Sequence, residues 1–193
     1  MKGYHMRAGA VFVVALLASP AAAEDQPLCG TSGQGDWPRI QEIFTGDWLI
    51  EHQAGYAAMG GMILPFPGDG EVETITIWQL GDTLQATHPE QQAPLVLRLA
   101  EEPRWTVDTD NPSIPEPLLS PDEVALTAGC SQLDLPRLIG TTTAVVDGVQ
   151  MNFTYRMMAM DWSTLYGVME IDSVVHGTPV EARRTVWMRA AGR

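Results

Sequence analysis

Thr141 to Ala190 reads TTTAVVDGVQMNFTYRMMAMDWSTLYGVMEIDSVVHGTPVEARRTVWMRA, and this stretch decides the fold. Thr141–Val146 and Val149–Met160 flank Asp147-Gly148, a dipeptide favoured in two-residue hairpin turns because both turn residues need positive φ. A turn at Asp161-Trp162-Ser163 leads into Thr164–Val175. His176-Gly177-Thr178-Pro179 then turns the chain into Val180–Ala190. The pattern predicts a four-strand antiparallel meander with tight connections.

Alternation assigns the faces of these strands. Val149, Met151, Phe153, Tyr155, Met157 and Ala159 share one face, opposite Gln150, Asn152, Thr154 and Arg156. Val180, Ala182, Arg184, Val186 and Met188 share another, opposite Glu181, Arg183, Thr185, Trp187 and Arg189. Arg184 therefore falls on an apolar face, where a guanidinium needs an anionic or carbonyl partner. It either braces Trp48 or pairs with Asp172 or Glu170, or it anchors the carboxylate of a ligand.

Upstream, Glu24 to Gly35 is polar and reads as an extended arm. Asp36 has the character of an N-cap, Pro38 suits a first turn, and Ile40, Ile43 and Phe44 recur at helical spacing. A short helix over about 37–44 follows, with Gly46 placed to end it. Asp47–Gln53 is the first strand expected. Ala54–Gly70 (AGYAAMGGMILPFPGDG) reads as a long Gly/Pro-rich loop loaded with apolar side chains. Glu71–Leu80, Thr83–His88, Pro94–Ala100 and Arg104–Thr109 are further strand candidates. Four prolines between Asp110 and Pro121 exclude regular structure there. Asp122–Ala128 fits a strand or a helical turn. The sum is an all-β chain, an antiparallel barrel of about 8–10 strands with a short N-terminal helix, closed or sandwiched to limit exposed edges.

The first residues read as an export signal. Lys2 and Arg7 precede the uncharged apolar run Ala8–Ala18, and Ala21-Ala22-Ala23 supplies small residues before Glu24. The run is shorter than the roughly 18–20 residues a bilayer span needs. The expectation is a signal peptide over 1–23, one domain over 24–193, no membrane span, and a periplasmic or secreted location. In such a compartment Cys29 and Cys130, the only two cysteines, read as a disulfide.

The formal charge is −13, with 24 acidic against 11 basic residues. A surface so acidic disfavours nucleic acid and anionic lipid as partners. The only lysine, Lys2, lies in the signal segment, which excludes Schiff-base and P-loop lysine chemistry from the rest.

Ile40 to Trp48 (IQEIFTGDW) resembles the start of lipocalin-type barrels, where a short helix leads into a first strand bearing Gly-x-Trp, here Gly46-Asp47-Trp48. The resemblance implies that Trp48 is structural, sitting near the closed end against an Arg of the last strand. Arg183, Arg184 and Arg189 are available for that contact.

No pattern makes catalysis the default. His52, His88 and His176 are scattered at expected strand ends and turns, without metal-ligand spacing. No nucleophile elbow, Walker loop or dinucleotide fingerprint is present, and no cofactor or metal is implied. Methionine usage is unusual, with Met59 and Met62 in the apolar loop and Met151, Met157, Met158 and Met160 on one strand. Thioethers can hold Cu(I), but adaptable packing and ligand contact are their commoner roles. The expected function is binding of a small apolar or amphipathic molecule in a barrel cavity by Met59, Met62, Phe66, Tyr155, Met157 and Arg184. The alternatives are a protein-interaction module with a filled barrel, and an enzyme using Tyr155, His52 or Arg184. Cavity size separates the first two, and convergent titratable groups would favour the third.

Overall fold

The structure is a computed structural model that describes residues 28–87, 93–100 and 119–192. The segment read as an export signal, His88, the strand expected at Arg104–Thr109 and the proline-rich stretch up to residue 118 lie outside the described residues.

The chain forms α1 (Trp37–Phe44), β1 (Gly46–Met59), β2 (Met62–Phe66), β3 (Val72–Leu80), β4 (Thr83–Thr87) and β5 (Leu95–Leu99). After these come α2 (Pro121–Ala128), β6 (Arg137–Val146), β7 (Val149–Asp161), β8 (Thr164–Val175) and β9 (Thr178–Ala190). All pairings are antiparallel. Strands β1 and β3 to β9 pair in sequence, and β9 closes on β1, giving an eight-stranded barrel with β2 as an additional strand. The all-β barrel and the C-terminal meander are as the sequence predicts.

Two-residue turns set the register of that meander. Asp147 and Gly148 have φ of 51° and 79°, and His176 and Gly177 have 50° and 82°. Val146 consequently pairs with Val149, and Val175 with Thr178. Gly60 and Gly61 repeat the geometry at 57° and 82°. This turn corrects the expectation of a loop over 54–70. β1 runs on to Met59, and β2 folds back so that Met59 faces Met62 and Gly55 faces Phe66.

Long β1 divides its pairing. Its first half, Gly46–Glu51, lies between β3 and β9 inside the closed barrel. Its second half, Gly55–Met59, lies between β2 and β9. β5 pairs with β6 no further along than Thr141. The ends of β1, β2 and β6 to β9 therefore rise as a six-stranded sheet beyond the closed part.

The other end is stoppered by α1. Trp37 Nε1 donates to the Asp82 carbonyl at 2.7 Å and Gln41 Nε2 to that of Gly81 at 3.0 Å, tying the helix to the β3–β4 turn. Asp36 does not act as a side-chain cap, because a 3-10 turn over Gln34–Asp36 already supplies helical backbone. Thr45, rather than Gly46, ends the helix, its hydroxyl donating to the Gln41 carbonyl at 2.8 Å. Gly46 instead has φ of 134°, a value L side chains rarely adopt, which explains a glycine two residues before Trp48. Trp48 is 1% exposed, packs on Phe44 with centroids 5.3 Å apart, and donates its indole N–H to the Phe44 carbonyl. Ala190, not an arginine, lies opposite it on the last strand.

Asp122–Ala128 is helical as part of α2. Ser120 and Glu123 form a reciprocal capping box, and Gly129 ends the helix at φ 78°. Such a box satisfies backbone donors that a strand would need to pair elsewhere. α2 packs on β7, and Val124 joins Met158, Met160 and Tyr166 in the buried cluster. Met158 and Met160 thus belong to packing outside the barrel. The Cys29–Cys130 disulfide, with Cα atoms 6.0 Å apart, fastens the N-terminal segment beside this layer. Among the described residues no helix is long and apolar enough to cross a membrane.

Candidate functional site at the barrel mouth

Register carries one inward row across five strands. Tyr155 faces Met169, Met169 faces Arg184, Arg184 faces Gly55, and Gly55 faces Phe66. This row is the floor of the mouth. Below it the barrel is packed among the described residues. Ile50, Ile75, Leu97, Tyr155, Met157 and Met188 leave a void of only about 10 Å³, barely the volume that accommodates one water. Tyr155 and Met157 are therefore core side chains, at 3% and 1% exposure.

Above the floor the inward positions on neighbouring strands are Phe153, Ile171, Ala182, Ala57 and Leu64. Next come Met151, Ser173, Val180, Met59 and Met62. Only Ser173 among them is polar. Met62 is 56% exposed and Leu64 53%. Met59, Met62, Phe66 and Arg184 thus come together at the mouth, whereas Tyr155 and Met157 lie at and beneath its floor.

Arg184 is inward, as alternation requires, but its partners are neither Trp48 nor Asp172 nor Glu170. The register of β1 shifts between His52 and Gly55, and this bulge turns two carbonyls toward the guanidinium. Arg184 Nε donates to Gln53 O at 3.1 Å, and Nη2 to His52 O at 3.0 Å and Asp69 Oδ2 at 2.9 Å. The guanidinium also lies 5.5 Å from the Phe66 ring centroid. Gly55 makes this possible. A Cβ there would strike the Arg183 carbonyl oxygen and come within 2.7 Å of Arg184 Cβ and 2.8 Å of the Phe66 ring.

Asp69 fastens the loop after β2 onto this centre, and its Oδ1 also accepts the Glu71 N–H at 3.2 Å. Partial burial opposes its ionisation. The Glu71 N–H and Arg184 outweigh that, helped by nearby His52, and hold the carboxyl below its ordinary 3.8. His52 Nδ1 lies 4.0 Å from Asp69. His52 is mid-strand rather than at the strand end expected from sequence, because β1 continues past it. Asp69 was the residue that sequence reasoning missed. A lone acid at the end of an apolar loop, in a chain needing a partner for Arg184, was the available signal.

Two stability effects follow. Arg184→Met should cost about 2–3 kcal/mol by urea denaturation, the scale of lost charged hydrogen bonds. It should fall short of the roughly 3–5 kcal/mol of a stranded buried charge, since the Asp69 side chain is 37% exposed and stays hydrated. A carboxyl with a lowered folded pKa stabilises above its unfolded pKa and loses that contribution as pH falls through the folded value. The stability gap between wild type and Asp69→Asn should hold at neutral pH and close as the pH falls through and below 3.8.

The outward face next to this row carries a second ionic group. Glu170 lies 3.6 Å from Arg156 and 3.9 Å from Arg183. Burial pushes its carboxyl up, against the pull of the two arginines. Among the described residues no group of His, Cys, Asp and Glu has the arrangement of a metal site. No protein-family model, curated protein or solved structure matches this chain.

Proposed function

We propose that this is an exported, lipocalin-like binding protein that takes a small amphipathic molecule at the barrel mouth rather than in the barrel interior. One observation carries the reading. The six-stranded sheet above the floor keeps an inward face that is apolar except at Thr142 and Ser173, with Met62 and Leu64 more than half exposed, over a barrel that is packed among the described residues. Exposed contiguous apolar surface on a soluble domain marks interaction sites. The disulfide fits an oxidising compartment.

The 10 Å³ void favours the second reading, a protein-interaction module with a filled barrel. His52, Asp69 and Arg184 do converge, as an enzyme would require. Their bonds to each other and to the β1 bulge make them a clasp holding the loop to the strand.

Titration with the uncharged dye Nile red tests the proposal. The expected result is saturable fluorescence enhancement that Met62→Glu and Leu64→Glu each reduce by about tenfold in affinity, given about 1–2 kcal/mol per buried apolar side chain. No binding, or equal binding by both variants, would overturn it and leave the interaction module.

A further inference from the structure

Resting on this reading of the mouth, we propose that the amphipathic ligand carries a cationic head group. The alternative, a carboxylate held by Arg184, asks for a guanidinium free to receive it. Arg184 instead donates to two backbone carbonyls and to Asp69, which neutralises its charge within the protein.

Charge nearer the tip of the sheet has one sign. Beyond the level of Arg183 and Glu170, the described residues of these six strands and their turns hold Asp147, Asp172 and Glu181, with no Lys or Arg. Asp172 and Glu181 face each other directly across β8 and β9, and both are exposed. Like charges in that position disfavour the strand pairing, so the pair carries a cost that a bound cation would relieve. Among the described residues the extension is one sheet thick at this level. A head group beside Ser173 and Val180, the inward neighbours of the pair, would lie within a Debye length of about 8 Å. An apolar wall leading to an acidic tip complements an alkyl chain ending in an ammonium-type group.

The experiment compares dodecyltrimethylammonium, dodecyl maltoside and dodecanoate as displacers of Nile red, each below its micelle-forming concentration. The cationic probe should bind about three- to tenfold tighter than the uncharged one, the scale of two exposed charge pairs, and dodecanoate weakest. The Asp172→Asn/Glu181→Gln double variant should remove the cationic preference and leave maltoside binding unchanged. High salt should do the same. Equal binding of all three probes would overturn the charge assignment while leaving the mouth as the site. Tightest binding of dodecanoate would overturn it in favour of Arg184 as an anion anchor. No binding of any probe would overturn both the assignment and the mouth.

Discussion

Replacing Cys29 and Cys130 with serine is expected to lower stability by up to about 4–5 kcal/mol, the chain-entropy value for a loop of this length. The cysteines are separated by 101 positions, so the bridge removes a large share of the unfolded chain's freedom. The native side of the balance is local. Leu28, beside the bridge, is buried in the core cluster, and Gly30 donates its N–H to the Asp134 carbonyl at 2.9 Å. The Gly30 bond alone is worth about 1 kcal/mol, too little to hold an arm against its ordering entropy. The double variant should therefore unfold at lower urea with the segment around Leu28 already exchanging its amides. An unchanged midpoint, with two free thiols in the wild-type protein, would show that the bridge does not form in solution.

Trp48→Ala should cost about 3–5 kcal/mol, the range for deleting a large buried aromatic side chain. Three losses combine. The indole is almost fully excluded from water, its contact with Phe44 disappears, and the Phe44 carbonyl loses its donor at 3.0 Å. Because Phe44 ends α1, the helix that closes the barrel loosens with it. The urea midpoint should drop with little change in slope. Leu126→Ala, on an α2 side chain that is 86% exposed, should stay within about 0.5 kcal/mol. A midpoint shift for Trp48→Ala as small as that control would mean the closed end is not packed as described.

The strands of the meander were legible because period-two alternation and two-residue turns act locally. Asp147-Gly148 and His176-Gly177 fix register through their own backbone angles. Gly60-Gly61 carries the same instruction but sits among Met, Leu, Pro and Phe, where glycine and proline content outweighed alternation. The helix at 37–44 was legible from spacing, although its caps were not. An N-cap depends on the backbone before it, and here a 3-10 turn occupies that place. The inward placement of Arg184 was legible for the same reason as the strands. Its partners were not, because Asp69 is 115 positions away in sequence and the two carbonyls are exposed by a bulge. Tyr155 and Met157 shared a face with mouth residues, but alternation gives no depth, and depth separates packed core from contact surface.

The strand β2 carries Pro65, which pairs with Tyr56 on one side and, among the described residues, has no strand on the other. A proline has no N–H to offer a newcomer, and on a margin this works as a guard. Two copies meeting margin to margin would find their ladder interrupted within a strand of five residues. The molecule can thus keep Met62 and Leu64 in water without that strand seeding a continuous intermolecular sheet. In a concentrated stock it should stay dispersed where Pro65→Thr would begin to assemble.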